Sequence, residues 1–261
     1  MKPSHFLVPV PSLRFVPVWR RNYLVWRKLA VPSILANLAD PLIMLFGLGY
    51  GLGAMLGDIG GMSYFAYLAG GFVASSSMFA ATFEGLYSAF SRMHVQKTWD
   101  AIVNAPMTIE DVLAGEWVWA ATKALAAGLC MLAVDAAFGY ANSWLALWAI
   151  PVVVLLGLAF AALALAVNAL AGGYDFFSYY MTLVLTPMLM LSGVFFPADR
   201  LPEAVQSLAA ALPLYHGVAL VRPLLSGAVP PDLLLHVAVL AGYALLGFYA
   251  AMVLTRRRLL G

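Results

Sequence analysis

The sequence predicts an all-α integral membrane protein with six transmembrane helices, an N-terminal amphipathic helix and a broken apolar segment before the last span. Three observations predict it. The 261 residues are 64% hydrophobic and 10% charged, whereas soluble domains are roughly 45–50% apolar and about 25% charged. Apolar runs recur near 31–57, 63–91, 112–138, 145–171, 175–196 and 233–255, each long enough for the ~20 residues that a bilayer span requires. The basic residues fall mostly on one side of those runs. Lys2, Arg14, Arg20, Arg21, Arg27 and Lys28 precede the first, Arg92 and Lys97 follow the second, and Arg256, Arg257 and Arg258 follow the sixth. Only Arg200 and Arg222 fall on the other side, with Lys123 inside the third run. The positive-inside rule therefore predicts cytoplasmic termini.

The chain divides into an N-terminal segment, 1–30, and a six-span domain, 31–261. In the first segment Phe15, Trp19 and Tyr23 recur at i, i+4 and i+8, with the bases largely elsewhere around the helix. That pattern predicts an in-plane helix, aromatics inward and bases toward anionic lipid. No cleavable signal peptide is expected, because four prolines and six Lys/Arg crowd the first 28 residues.

Span one carries Gly47, Gly49, Gly51 and Gly53. Small residues four apart let helix backbones approach closely, either within the chain or across a dimer. Asp40-Pro41 in the same run predicts a kink or a restart of the helix.

The connection 92–111, after span two, is the longest on the basic side. Lys97 through Asn104 could form a short helix ended by Pro106, and Thr108 could cap the next helix, with Glu110 and Asp111 in its first turn. Trp99 and Ile102, flanked by Lys97 and Asp100, make an apolar anchor in a charged rim, as partner surfaces do. The alternative is a solvated turn with its Trp at the lipid interface.

Asp40, Glu84, Glu116, Lys123 and Asp135 fall in or near spans. Ionisable groups are costly there and each needs a partner. Glu116 and Lys123 share a helix face, and Glu84 on span two lies at comparable depth and could pair with Lys123. A structural ion pair and a gating or substrate contact are the two readings. The histidines have no metal-ligand spacing, so no metal site is expected. Cys130 stands alone, and no disulfide can form within one chain.

After Phe196 four prolines interrupt a still half-apolar stretch up to Pro223. Broken backbone at membrane depth is tolerated only where protein or a water-filled cavity covers it. Phe195, Phe196, Leu214 and Tyr215 are the bulky side chains that could close a mouth on the outer face.

No phosphate-binding Gly-x-x-x-x-Gly-Lys-Ser/Thr loop is present, nor any nucleophile elbow or zinc-protease motif. The chain therefore has no ATPase site of its own and is not expected to be an enzyme. The bases are not gathered into one stripe, and no nucleic-acid partner is expected.

Three stretches carry a resemblance: Phe83-Glu-Gly-Leu-Tyr through Lys97-Thr-Trp-Asp100, Leu113-Ala-Gly-Glu-Trp through Lys123, and Leu191-Ser-Gly-Val-Phe-Phe-Pro through Val221-Arg-Pro-Leu224. Over nearly its whole length the chain resembles type-2 ABC exporter permeases, in the branch that exports rhizobial nodulation factors, which are lipo-chitooligosaccharides. Where the family pattern reads Leu-Pro-Leu-Ser-His, this chain has Tyr215. The resemblance implies a multi-pass protein of a bacterial inner (plasma) membrane. It implies a homodimer bound to two copies of a separate cytoplasmic ABC ATPase, which holds the ATP and Mg. The region around Lys97, Trp99, Asp100 and Ile102 would be the coupling helix, and 197–226 a pair of outer re-entrant half-helices. The cargo would be amphiphilic: a lipo-oligosaccharide, a lipid-linked glycan or a hydrophobic drug. A stand-alone secondary transporter or channel is the alternative; it would call for internal inverted repeats, and none is evident.

Overall fold

A computed structural model describes residues 6–7, 12–59, 61–103, 106–141 and 143–260, without the side chains of Asp100, Val103 and Leu260. The chain is a helical membrane bundle. Among the described residues, Ala30–Leu56, Tyr64–Val95, Ile109–Ala137, Trp144–Leu170 and Leu233–Leu259 are long and apolar enough to cross a bilayer.

The helix α1 (Phe15–Arg27) precedes α2 (Ala30–Gly51). A two-residue hairpin, β1 (Asp58–Ile59) and β2 (Met62–Ser63), then reverses the chain into α3 (Tyr64–Phe83). α3 continues through two π-helical turns, Glu84–Ser88 and Ser91–Val95. Lys97 adopts φ +47°, a left-handed conformation that ends this run before α4 (Thr98–Val103). α5 (Ile109–Ala137) starts on a capping box: the Thr108 hydroxyl accepts from the Asp111 N–H, and the Asp111 carboxylate accepts from the Thr108 N–H. α6 (Ala149–Leu170) follows a 3₁₀ lead-in over Trp144–Trp148. α7 runs Asp175–Leu191, α8 Glu203–Ala209, α9 Pro213–Ser226 and α10 Leu233–Leu260.

Two expectations need correction. α2 passes through Pro41 as one continuous helix and does not restart at Asp40-Pro41. The fifth predicted span, 175–196, is helical only to Leu191. Gly193 at φ +76° turns the chain there, in the left-handed geometry that ends helices. About 25 Å of helix results at 1.5 Å per residue, short of the ~30 Å hydrocarbon core.

α3 is the central element, almost wholly buried, packed on α5, α6 and α9. α10 lies along α6, and α1 lies on α5. α2 packs mainly on α3 and leaves most of its surface uncovered. α8 and α9 meet at 86°, a bent pair that together has the length and apolarity of one broken span or a re-entrant loop. Phe6 and Leu7 lie against the C-terminal part of α10, at the end of the bundle where α4 meets α5; the α8–α9 corner lies toward the other end of α10, where Tyr243 and His236 bond to it.

The C-terminal arginines close the terminal end. Arg256 pairs with Glu110 at 2.7 Å and donates to the Leu7 carbonyl. Arg258 donates to the carbonyls of Asn168 and Ala169 at 2.9 and 3.1 Å. Both carbonyls belong to the last turn of α6, the end of a helix that favours a cation.

Candidate functional site

α1 is placed by its apolar stripe. Val18 and Asn22, one turn apart, are buried against α5, and Val18 sits where a side chain on Gly115 would collide, with its Cβ 2.6 Å from the position of an added Cβ. Trp19 donates to the Thr122 hydroxyl at 3.0 Å and stacks on Tyr23 at 5.7 Å. Arg20, Arg27 and Lys28 stay exposed. Trp19 of the aromatic stripe thus faces the bundle.

That docking delivers Asn22 to a buried ion cluster. Arg92 grips Glu116 with two nitrogens, Nε to Oε1 at 2.9 Å and Nη2 to Oε2 at 2.5 Å. The same Nη2 donates to Glu84 Oε1 at 2.8 Å. Asn22 Nδ2 donates to Glu116 Oε2 at 3.1 Å, and Trp119 Nε1 to Glu84 Oε1 at 2.8 Å. Trp99 Nε1, from α4, donates to Glu116 Oε1 at 3.2 Å. Glu116 is 1% exposed, so its charge is held almost entirely by these donors. Arg21 lies at the edge, its Nη1 buried without a hydrogen bond. Burial lowers its guanidinium below the ordinary value, Glu116 opposes that shift, and Arg92 adds to it.

The cluster exists because of the π turns. In an ideal helix, residues eight apart are about 80° out of register. An i→i+5 turn takes up one residue more than an α turn, and the turn at Glu84–Ser88 brings Glu84 and Arg92 onto one face.

Glu84 and Glu116 therefore come together, but through Arg92 rather than the expected Lys123. Lys123 donates to Ser33 Oγ at 2.7 Å and lies 5.2 Å from the Trp26 ring, tying α5 to the start of α2. Arg92, Asn22 and Trp119 escaped the sequence reading. Arg92 had been assigned to the loop, and its place after Glu84 on an unbroken helical pattern was the signal available.

Trp99 is also corrected. It is 2% exposed, inside a cluster with Phe90, Met93 and Leu113, and Ile102 packs against the same cluster half-buried. It is an internal tie and not an exposed anchor. Lys97 and Ala101 are exposed on this short element, and the Asp100 side chain lies outside the described residues.

The glycine stripe of α2 divides. A Cβ at Gly49 would lie 2.5 Å from Phe65, so Gly49 serves packing inside the chain, and Gly53 faces Tyr64 at 3.8 Å. Gly47 and Gly51 have nothing within 4 Å. Asp40 is exposed on α2, about 15 Å along from its start at Ala30. Asp135 is fully buried and neither carboxylate oxygen has a hydrogen-bond partner.

At the opposite end, Phe195 packs edge-on against Phe72 at 5.8 Å, and its carbonyl accepts from the Tyr64 hydroxyl. Phe196 is exposed, whereas Leu214 is fully buried in the bundle core. Tyr215 lies against the His216 and His236 rings, whose Nδ1 atoms are 2.7 Å apart. The four bulky residues differ in burial: Phe195 and Tyr215 are half-buried, Phe196 is exposed and Leu214 is enclosed.

A multi-pass bundle without a nucleotide loop, with a short polar-tethered helix at its basic end and a bent apolar pair at the other, defines the permease class of membrane transporter. The chain belongs to the ABC-2 type transporter family, which it matches over residues 14–225, and is an ABC transporter permease. It is 51% identical over 254 residues to "Nodulation protein J" of Rhizobium leguminosarum bv. viciae, covering 97% of this chain and 98% of that protein. The protein of the same name from Rhizobium meliloti (strain 1021) is 49% identical over 253 residues, 97% of each chain. "Inner membrane transport permease YadH" of Escherichia coli (strain K12) is 24% identical over 199 residues, 75% of this chain and 74% of that one. Membership in the family implies an ABC ATPase partner.

Proposed function

We propose that the chain is the permease of an ATP-driven exporter that works as a homodimer with two copies of a cytoplasmic ATPase. Its cargo is an amphiphilic lipo-oligosaccharide of the nodulation-factor type, moved outward across the inner membrane. The basic terminal end faces the cytoplasm, and the α8–α9 corner faces outward.

The observation that carries this reading is the hydrogen bond from Trp99 on α4 to Glu116. α4 lies at the end where an ATPase would dock, and Glu116 is shared by α1, α3 and α5. A push on α4 would reach three helices through one carboxylate. Asp40 supports the dimer: a carboxylate exposed in the middle of an apolar span is costly in lipid and is expected to face protein or water. A second copy over α2 would supply both.

The test uses the full permease–ATPase complex. Trp99→Phe keeps an aromatic but smaller side chain and deletes the donor, removing a bond to a charged group worth about 1.5–3 kcal/mol. Transport should fall about tenfold or more while membrane insertion and ATPase binding persist; full transport by this variant would overturn the coupling role. Cargo is tested by lipid analysis of cells lacking the chain, in which lipo-oligosaccharide should accumulate inside. An unchanged profile would leave no support for that cargo.

A further inference from the structure

Arg222, one of two basic residues at the end opposite the termini, has no carboxylate within ion-pair distance among the described residues. Its neighbours orient it without neutralising it. Nε donates to the Tyr67 carbonyl at 3.1 Å, and Nη2 to the carbonyls of Gly193 and Val194 at 2.7 and 3.5 Å. Its Cζ lies 3.6 Å from the Tyr67 ring centroid. Tyr67 is itself held by a bond from its hydroxyl to the Gly193 carbonyl at 2.9 Å. The guanidinium is therefore fixed in place by groups from α3 and the turn after α7.

Among the described residues Nη1 has no hydrogen-bond partner, and it is not one of the sealed polar atoms that lack partners. Arg222 lines a recess of about 470 Å³, together with Met62, Ala66, Tyr140, Ser143 and Ser226. The Ser143 hydroxyl accepts from the Leu145 N–H at 3.2 Å, so its own proton is left to donate. A guanidinium carries five N–H donors in a planar fork that suits oxyanions. A partly buried cation with no counter-ion gains from an anion that can reach it.

We propose that this recess binds an oxyanion of the phosphate or sulfate type, with Arg222 as the charge partner and Ser143 as a second donor. The oxyanion has two possible sources, a lipid head group or a free anion of head-group size. Binding is measured without transport, so it stands or falls separately from the export reading.

The experiment follows thermal unfolding of the full chain in phosphatidylcholine nanodiscs. Sodium phosphate, dihexanoylphosphatidylglycerol and dihexanoylphosphatidylcholine are titrated at constant ionic strength, with sodium chloride as the control. A ligand that binds only the folded chain raises the midpoint with concentration. Phosphate or the anionic lipid should do so, while phosphatidylcholine and chloride should not. A response to phosphate alone assigns a free anion, and a response to the phosphatidylglycerol alone assigns a lipid. Arg222→Gln should weaken the apparent affinity at least tenfold. Because Arg222 also ties the corner together, Ser226→Trp provides the second arm: it fills the recess from an exposed position and leaves every Arg222 bond in place. It too should abolish the response. No anion response in the wild-type chain, an equal response to chloride, or a response that survives Ser226→Trp would overturn the site.

Discussion

Glu116 shows how one buried carboxylate can define a site. It accepts from Arg92, Asn22 and Trp99, which arrive from three different elements. Arg92 also pairs with Glu84 at 2.8 Å, so Glu116→Gln keeps the volume and leaves the guanidinium one carboxylate. What is lost is the charge assistance in the hydrogen bonds to Glu116, worth about 1.5–3 kcal/mol for a bond to a charged group. The expected outcome is a loss of about that size, seen as a lower unfolding midpoint in detergent; an unchanged midpoint would remove the cluster from the stability of the bundle. Lys123→Met should be milder, because the partners of Lys123 among the described residues are the neutral Ser33 hydroxyl and the Trp26 ring.

At the scale of the element, α2 has two faces with opposite demands. Gly49 is pressed against Phe65, with 2.5 Å left for a Cβ, while Gly47 opens onto empty space. Gly49→Leu should therefore disrupt the α2–α3 contact and reduce folded protein. Gly47→Leu should leave the single chain folded but lower the dimer fraction in cross-linking. Equal behaviour of the two variants would argue against a dimer contact on this face. The pattern of alternate glycines was legible in the sequence; which glycines face inward was not, since all four share one spacing and only the position of Phe65 separates them. The same holds at α4. Trp99 beside charged residues has the composition of a docking anchor, and its burial follows from Glu116 lying across from it, a neighbour 17 residues away.

For the whole molecule, orientation is the first quantity to measure. With Cys130 replaced by Ser, single cysteines at Lys97 and Ala228, both exposed, should label with impermeant thiol reagents from opposite sides. Lys97→Cys is expected to react only in inside-out vesicles, and Ala228→Cys only in intact spheroplasts. Labelling from the same side would refute the arrangement.

Composition and run length determined that the chain is a helical membrane protein with a broken segment before its last span, because the bilayer imposes a length and an apolarity that any sequence must display locally. The Thr108 cap was equally legible, since a capping box depends on residues three apart. The partner of Glu84 and Glu116 was decided only by tertiary structure. A π turn shifts the register of α3 and brings Arg92 beneath both carboxylates, and no helical wheel drawn with 3.6 residues per turn predicts that shift. The recess at Arg222 was decided the same way. Its walls come from α3, the connection after α5 and α9, segments that only packing brings together, whereas sequence recorded a lone arginine among prolines.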